Sequence, residues 1–240
     1  MPPAYTTNAL LFGYDPGGDG KHGLCAARLE EKKIRQLELC SLKTGEEVLN
    51  CIQKYCSKHS EELPVILAVD TLTCWSLGKG GQRHADELLR NKYDHVAKSV
   101  IPQNSLYSAM TVNGMAVILK LQEECKGLDL IICETHPKVL HHALTGKKYD
   151  FQGNRDCMTC CLKKQFEAAW EKEDLESLHN INNIKNDHEF DAALSLLAAW
   201  KYAIGEWTTN LHQGAADDDR HVFPCGNTCF PWPENLDNCS

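Results

Sequence analysis

With 240 residues, 42% of them hydrophobic, the chain can bury one sizeable core and is short for two full domains. A formal charge of −8 and a pI near 5.8 exclude a broad basic surface of the kind that grips nucleic acid non-specifically, and leave room only for a small local groove. No segment reaches the ~18 apolar residues of a membrane span, and MPPAYTTNAL lacks the basic and apolar regions of a leader, so the expectation is a soluble, cytoplasmic protein without a membrane partner.

Residues 8–15, 23–30 and 33–42 read as three consecutive strands in a meander, joined by the glycine turn PGGDG and by Glu31-Lys32. Thr44 then caps a helix to about residue 59, with Glu46 and Glu47 in its first turn and Val48, Cys51, Ile52 and Tyr55 as its apolar stripe. Pro64 introduces VILAVD, a short apolar run that reads as a buried central strand. The glycine-rich loop TLTCWSLGKGG leads to a helical QRHADELLRN, and a second helix is expected over 108–125. DLIICE at 129–134 is another buried strand, Pro137 opens a short helix, and helical patterns return at 155–173 and 188–204. The order is mixed α/β, with residues 1–212 as the main domain and 213–240 as an irregular cysteine- and proline-containing cover.

Thirteen cysteines are scattered, several inside apolar runs (Cys25, Cys40, Cys133), as buried thiols of a reducing compartment are. Two clusters, Cys157-x-x-Cys160-Cys161 and Cys225-x-x-x-Cys229, keep a structural zinc as a minor alternative.

Asp15, Asp70 and Glu134 each close an apolar run that feeds a loop. Neighbouring strand ends of an α/β sheet converge on one edge, so three such acids would repel unless a hard divalent cation compensated them. In NDHEFDAALSLLAAW, Asp187 and Asp191 share a helix face at i, i+4, and the small Ala192, Ser195, Ala198 and Ala199 would let that helix approach the sheet closely. His188 could bind metal or hold a scissile phosphate. Alone, Asp15 before Pro16 reads as a turn-initiating acid and Asp187 as a helix-start acid; together with Asp70, Glu134 and Asp191 they read as a shared metal site.

The pieces GYDP, LAVDTL, GQRHADELLR, ICETHP and DHEFDAALSLLAAW, in this order, resemble the domain of unknown function 429 family, regarded as predicted nucleases with a ribonuclease H-like fold. The resemblance implies a mixed five-stranded sheet, three antiparallel strands followed by two parallel to the first, flanked by helices. It implies that Asp15, Asp70, Glu134 and Asp191 line the active site, with Arg83 and Asp86 as a further signature. The HxxDA pattern from His188 to Ala192 is similar to that of Holliday-junction resolvases.

The expected chemistry is phosphodiester hydrolysis with two magnesium or manganese ions about 3.5–4 Å apart, Asp15 bridging them and Asp70, Glu134 and Asp191 or Asp187 completing their shells. Arg83 could meet a phosphate with its planar fork or pair with Glu87, and Lys79, Lys147 and Lys148 are further local cations for a nucleic acid or another phosphate ester. The alternatives are a non-catalytic binding or metal- and redox-sensing module, which could also have a protein partner, and a kinase-like phosphate cradle at DPGGDGK. A duplicated second lobe does not fit in 240 residues, and no GxxxxGK[ST] pattern occurs.

Overall fold

A computed structural model describes residues 5–17, 20–59, 63–78, 81–100, 109–170, 180–213 and 221–233. Alternating and apolar runs form the strands β1 (Ala9–Asp15), β2 (His22–Glu30), β3 (Lys33–Leu42), β4 (Val65–Val69) and β6 (Leu130–Glu134). They make one sheet in the order β3-β2-β1-β4-β6, with β1, β2 and β3 antiparallel and β4 and β6 parallel to β1. This is the mixed ribonuclease H-like arrangement expected. The β2–β3 turn places Glu31 and Lys32 at φ 49° and 68°, the left-handed pair that a two-residue hairpin requires.

The helices are α1 (Gly45–Lys58), α2 (His84–Lys92), α3 (Ala109–Glu124), α4 (Pro137–Thr145), α5 (Phe151–Phe166) and α6 (Asp187–Ala203). Thr44 caps α1, its Oγ1 accepting from Glu47 N at 3.1 Å. Two apolar clusters sandwich the sheet. Leu10, Phe12, Tyr14, Leu67 and Val69 pack with α1 and α3 on one face, whereas Ala9, Leu11, Ile66, Ala68 and Cys133 pack with α6, α4 and α5 on the other. Consecutive strand residues alternate between the clusters, as the period of two demands.

α6 lies directly on β1 and β2. A β-carbon at Gly13 would land on the Ala192 carbonyl oxygen and the Leu196 amide, and one at Gly23 on the His188 carbonyl. The small-residue stripe is therefore the contact face, and Ser195 Oγ hydrogen-bonds Thr135 Oγ1 at 2.8 Å. Asn186 caps the helix, its side chain accepting from Glu189 N.

Beyond α6, the described residues carry short paired strands. β5 (Trp75–Ser76) pairs with β8 (His221–Val222), β7 (Thr209–Asn210) pairs with β9 (Pro231–Trp232), and residue 229 bridges in parallel to residue 133 on the edge of β6. Such two-residue strands are set by their partners and have too few positions to show a period.

Gly13→Ala should destabilise the protein by about 1–3 kcal/mol or prevent folding, because helix backbone occupies the space of the added methyl. Gly127→Ala, where a β-carbon meets nothing within 4 Å, is the control that should stay near wild type. Urea unfolding of the two variants checks the difference.

Candidate active site

Asp15 is the last residue of β1, and Asp70 follows β4 at the next level, its amide donating to Tyr14 O at 2.9 Å. Asp191 is in the second turn of α6, above the same face. Asp15 and Asp191 are buried and Asp70 is half-buried. Burial, and next the charge of Asp15, push the Asp70 and Asp191 carboxyls well above the usual carboxylate range. Three carboxylates from three elements thus sit near enough to oppose one another's ionisation.

Two of the three acids are held by a local donor. His188 Nδ1 lies 2.6 Å from Asp15 Oδ2, and Tyr149 Oη donates to Asp191 Oδ1 at 2.7 Å. Lys138, in the first turn of α4, stands over the Tyr149 ring with Nζ 5.7 Å from its centroid, and its charge partly offsets the rise at Asp70 and Asp191. Asp187 opens α6, and its charge reaches Tyr149.

Glu134 belongs to a different network. The register pairs it with Val69, which pairs with Tyr14, so it projects to the α1/α3 face while Asp15, Asp70 and Thr135 project toward α6. Its Oε1 lies 2.7 Å from Arg83 Nη1, and its Oε2 accepts from Thr73 N at 2.7 Å and Thr73 Oγ1 at 3.0 Å, with His212 Nε2 3.3 Å away. Arg83 is only 2% exposed and meets Asp86 through Nε at 3.0 Å and Nη2 at 2.7 Å, and Cys74 O through Nη1 at 3.1 Å. Despite the opposing effect of burial, Arg83 first and His212 next lower the Glu134 carboxyl to about 2. The fork expected to meet a phosphate or Glu87 is therefore engaged inside the protein by Asp86 and Glu134.

Among the described residues, no group of three or more His, Cys, Asp and Glu side chains is drawn together as a ready cage for a metal ion. The donor set nevertheless suits one: the acids on the α6 face are hard oxygen ligands whose mutual opposition a divalent cation would relieve. Glu134, neutralised by Arg83 on the other face, does not fit that set. The cysteine clusters do not converge on zinc. Cys157 and Cys160 are exposed on α5, Cys225 packs against Met115 beside α3, and Cys229 lies against Cys133 in the opposite layer.

The model of the family described as Protein of unknown function (DUF429) matches residues 13–214. The chain belongs to this family. No curated protein matches it. Among solved structures it is similar to one described as a Thermus thermophilus RuvC structure, at 17% identity over 82% of this chain and 96% of that one, with a TM-score of 0.42. That is a likeness of outline, so the chemistry has to come from this DUF429 chain's own residues.

Sequence reasoning missed Tyr149 and Lys138 on the α6 face, and Thr73 and His212 around Glu134. Lys138 had a signal, since it lies four residues past the acid in ETHPK, at the start of a helix that must begin near the strand ends. Tyr149 had none, because it approaches Asp191 from a loop 42 residues earlier. Lys147 and Lys148 are exposed beyond the far end of α4, and Lys79 lies outside the described residues.

Glu134→Gln should cost ~3 kcal/mol at neutral pH by removing one of the two buried carboxylates that pair with Arg83. A glutamate whose folded pKa is depressed contributes stability above its unfolded value of ~4.3 and loses it as pH falls through the folded value of about 2. The gap between wild type and variant should thus be full above pH ~5 and close on acidification, as read by denaturant unfolding at a series of pH values.

Proposed function

We propose that this chain hydrolyses phosphodiester bonds, in nucleic acid or a related phosphate ester, with Asp15, Asp70 and Asp191 holding magnesium or manganese. The observation that carries this reading is the convergence of three acids from β1, β4 and α6 on one face of the sheet, where burial and the charge of Asp15 oppose ionisation of Asp70 and Asp191. A second ion would draw on Asp187, which shares the helix face of Asp191. When bound, such a cation supplies Lewis-acid polarisation of a phosphoryl oxygen and a more acidic water.

The chain's own residues then have distinct tasks. His188, with Nδ1 donating to Asp15, is the side chain beside the acids that could exchange a proton with an attacking water. The phenol of Tyr149 orients the Asp191 carboxylate. Lys138, exposed at the first turn of α4, supplies the cation for a phosphate of the substrate, a task that the internal pairing of Arg83 leaves to another residue. A chain at −8 needs such a local grip, so substrate binding should be weak, with the shallow salt dependence of few phosphate contacts.

The test is cleavage of labelled DNA and RNA oligonucleotides with manganese, together with calorimetric titration of manganese alone. Asp15→Asn and Asp191→Asn should each lower cleavage at least ~100-fold and weaken manganese binding. Both should match or exceed wild type in thermal stability without metal, since one of the opposing charges is gone. Equal manganese affinity in wild type and both variants would sink the reading. Lys138→Ala should raise KM with little change in kcat if it binds substrate, and an unchanged KM would assign the grip elsewhere.

A further inference from the structure

Among the described residues, the C-terminal segment meets the edge of β6 through one parallel bridge, and both residues of that bridge are cysteines. Cys229 N donates to Ile132 O at 3.1 Å and Glu134 N donates to Cys229 O at 2.7 Å, which fixes the two backbones as neighbouring strands. Strands so paired lie ~4.8 Å apart with bridged side chains on one face, within the ~4.4–6.8 Å between Cα atoms that a disulfide accepts. The Cys133 and Cys229 sulfurs are 3.3 Å apart as free thiols. To bond, the sulfurs must close to the ~2.05 Å of a disulfide.

The two thiols differ in access. Cys133 is fully buried, whereas Cys229 borders a cavity of about 680 Å³ that Tyr202, Trp207 and Phe223 also line. Burial pushes the Cys133 thiol up, while hydrogen bonds from Cys133 and Tyr202 bring the Cys229 thiol down. This asymmetry separates an attacking sulfur from a resolving one.

We infer that Cys133 and Cys229 form a reversible dithiol–disulfide couple, in which a hydroperoxide entering the cavity oxidises Cys229 and Cys133 resolves the product. The Cys229 thiolate attacks one peroxide oxygen, an S–O bond forms as the O–O bond breaks, and the leaving oxygen departs as water or alcohol with the thiol proton. The Cys133 sulfur then attacks Cys229, the S–S bond forms, and the S–O oxygen leaves as water with the Cys133 proton. Two electrons pass from the thiol pair to the peroxide, and a dithiol reductant returns them. The couple is separate from Asp15, Asp70 and Asp191, so it stands whether or not the chain cleaves phosphodiesters.

The experiment treats the full chain with hydrogen peroxide and maps its disulfides by peptide mass, using a Cys157→Ser, Cys160→Ser, Cys161→Ser background to remove the exposed thiols. The expected product is one 133–229 link, lacking two hydrogens and restored by dithiothreitol. In Cys133→Ser, Cys229 should be trapped by dimedone as a sulfenic acid, and in Cys229→Ser the thiol of Cys133 should stay unmodified. The wild-type map keeps the test valid if a variant fails to fold. Reduced Cys133 and Cys229 after other cysteines have oxidised would overturn the inference, as would links from either to another partner.

Discussion

The carbonyl oxygen of Ala192 sits where residue 13 would carry a β-carbon, and the rest of the architecture follows from that contact. Because Gly13 and Gly23 offer only backbone, α6 descends onto β1 and β2, and its first turns arrive at the strand ends with His188 and Asp191 in place. Ser195 then fixes the helix against the sheet through Thr135. The helix is buried along nearly all of its length, so its position is set by packing. A layer this tight has little freedom to separate the acids it gathers, and the donors around them compensate: His188 at Asp15, and Tyr149 with Lys138 beside Asp191.

One residue of register divides the charged groups into two systems. Asp15 and Asp70 share a level and a face; Glu134, one position short of Thr135, faces the other way. There it completes a buried chain from Asp86 through Arg83 to Glu134 and on toward His212, linking α2, β6 and the segment after α6. Removing either end of such a chain leaves a charge in a low-dielectric interior, so these residues constrain one another more than they constrain a ligand. The acids on the α6 face are balanced less completely, and an incomplete balance is what suits a group to exogenous partners.

Much of this could be read from residues alone. The alternation in residues 8–15, 23–30 and 33–42 is local, and so are the capping by Thr44 and the acid pair on α6, and they defined the sheet and most helices. What was illegible depends on parity and long-range partners. ICE and AVD look alike as strand endings, yet one acid ends on the face opposite the other, and that follows from where neighbouring strands align. Arg83 is expected to meet either a phosphate or Glu87, whereas the partners its fork engages are Asp86 and an acid 51 residues on. The tail gave no pattern because each short strand borrows its conformation from a distant neighbour.

The bridge at residue 229 also bears on how the chain behaves in a crowded solution. β6 is the last strand of the parallel half of the sheet, and an uncovered last strand offers its amides and carbonyls to any extended chain nearby. Cys229 occupies the Ile132 carbonyl and the Glu134 amide at the point where the strand is most apolar. Detaching the segment would expose LIICE, a β-prone run with one charge, as a template for edge-to-edge association. The backbone of Cys229 therefore takes up part of an edge that another copy of the chain would otherwise find open.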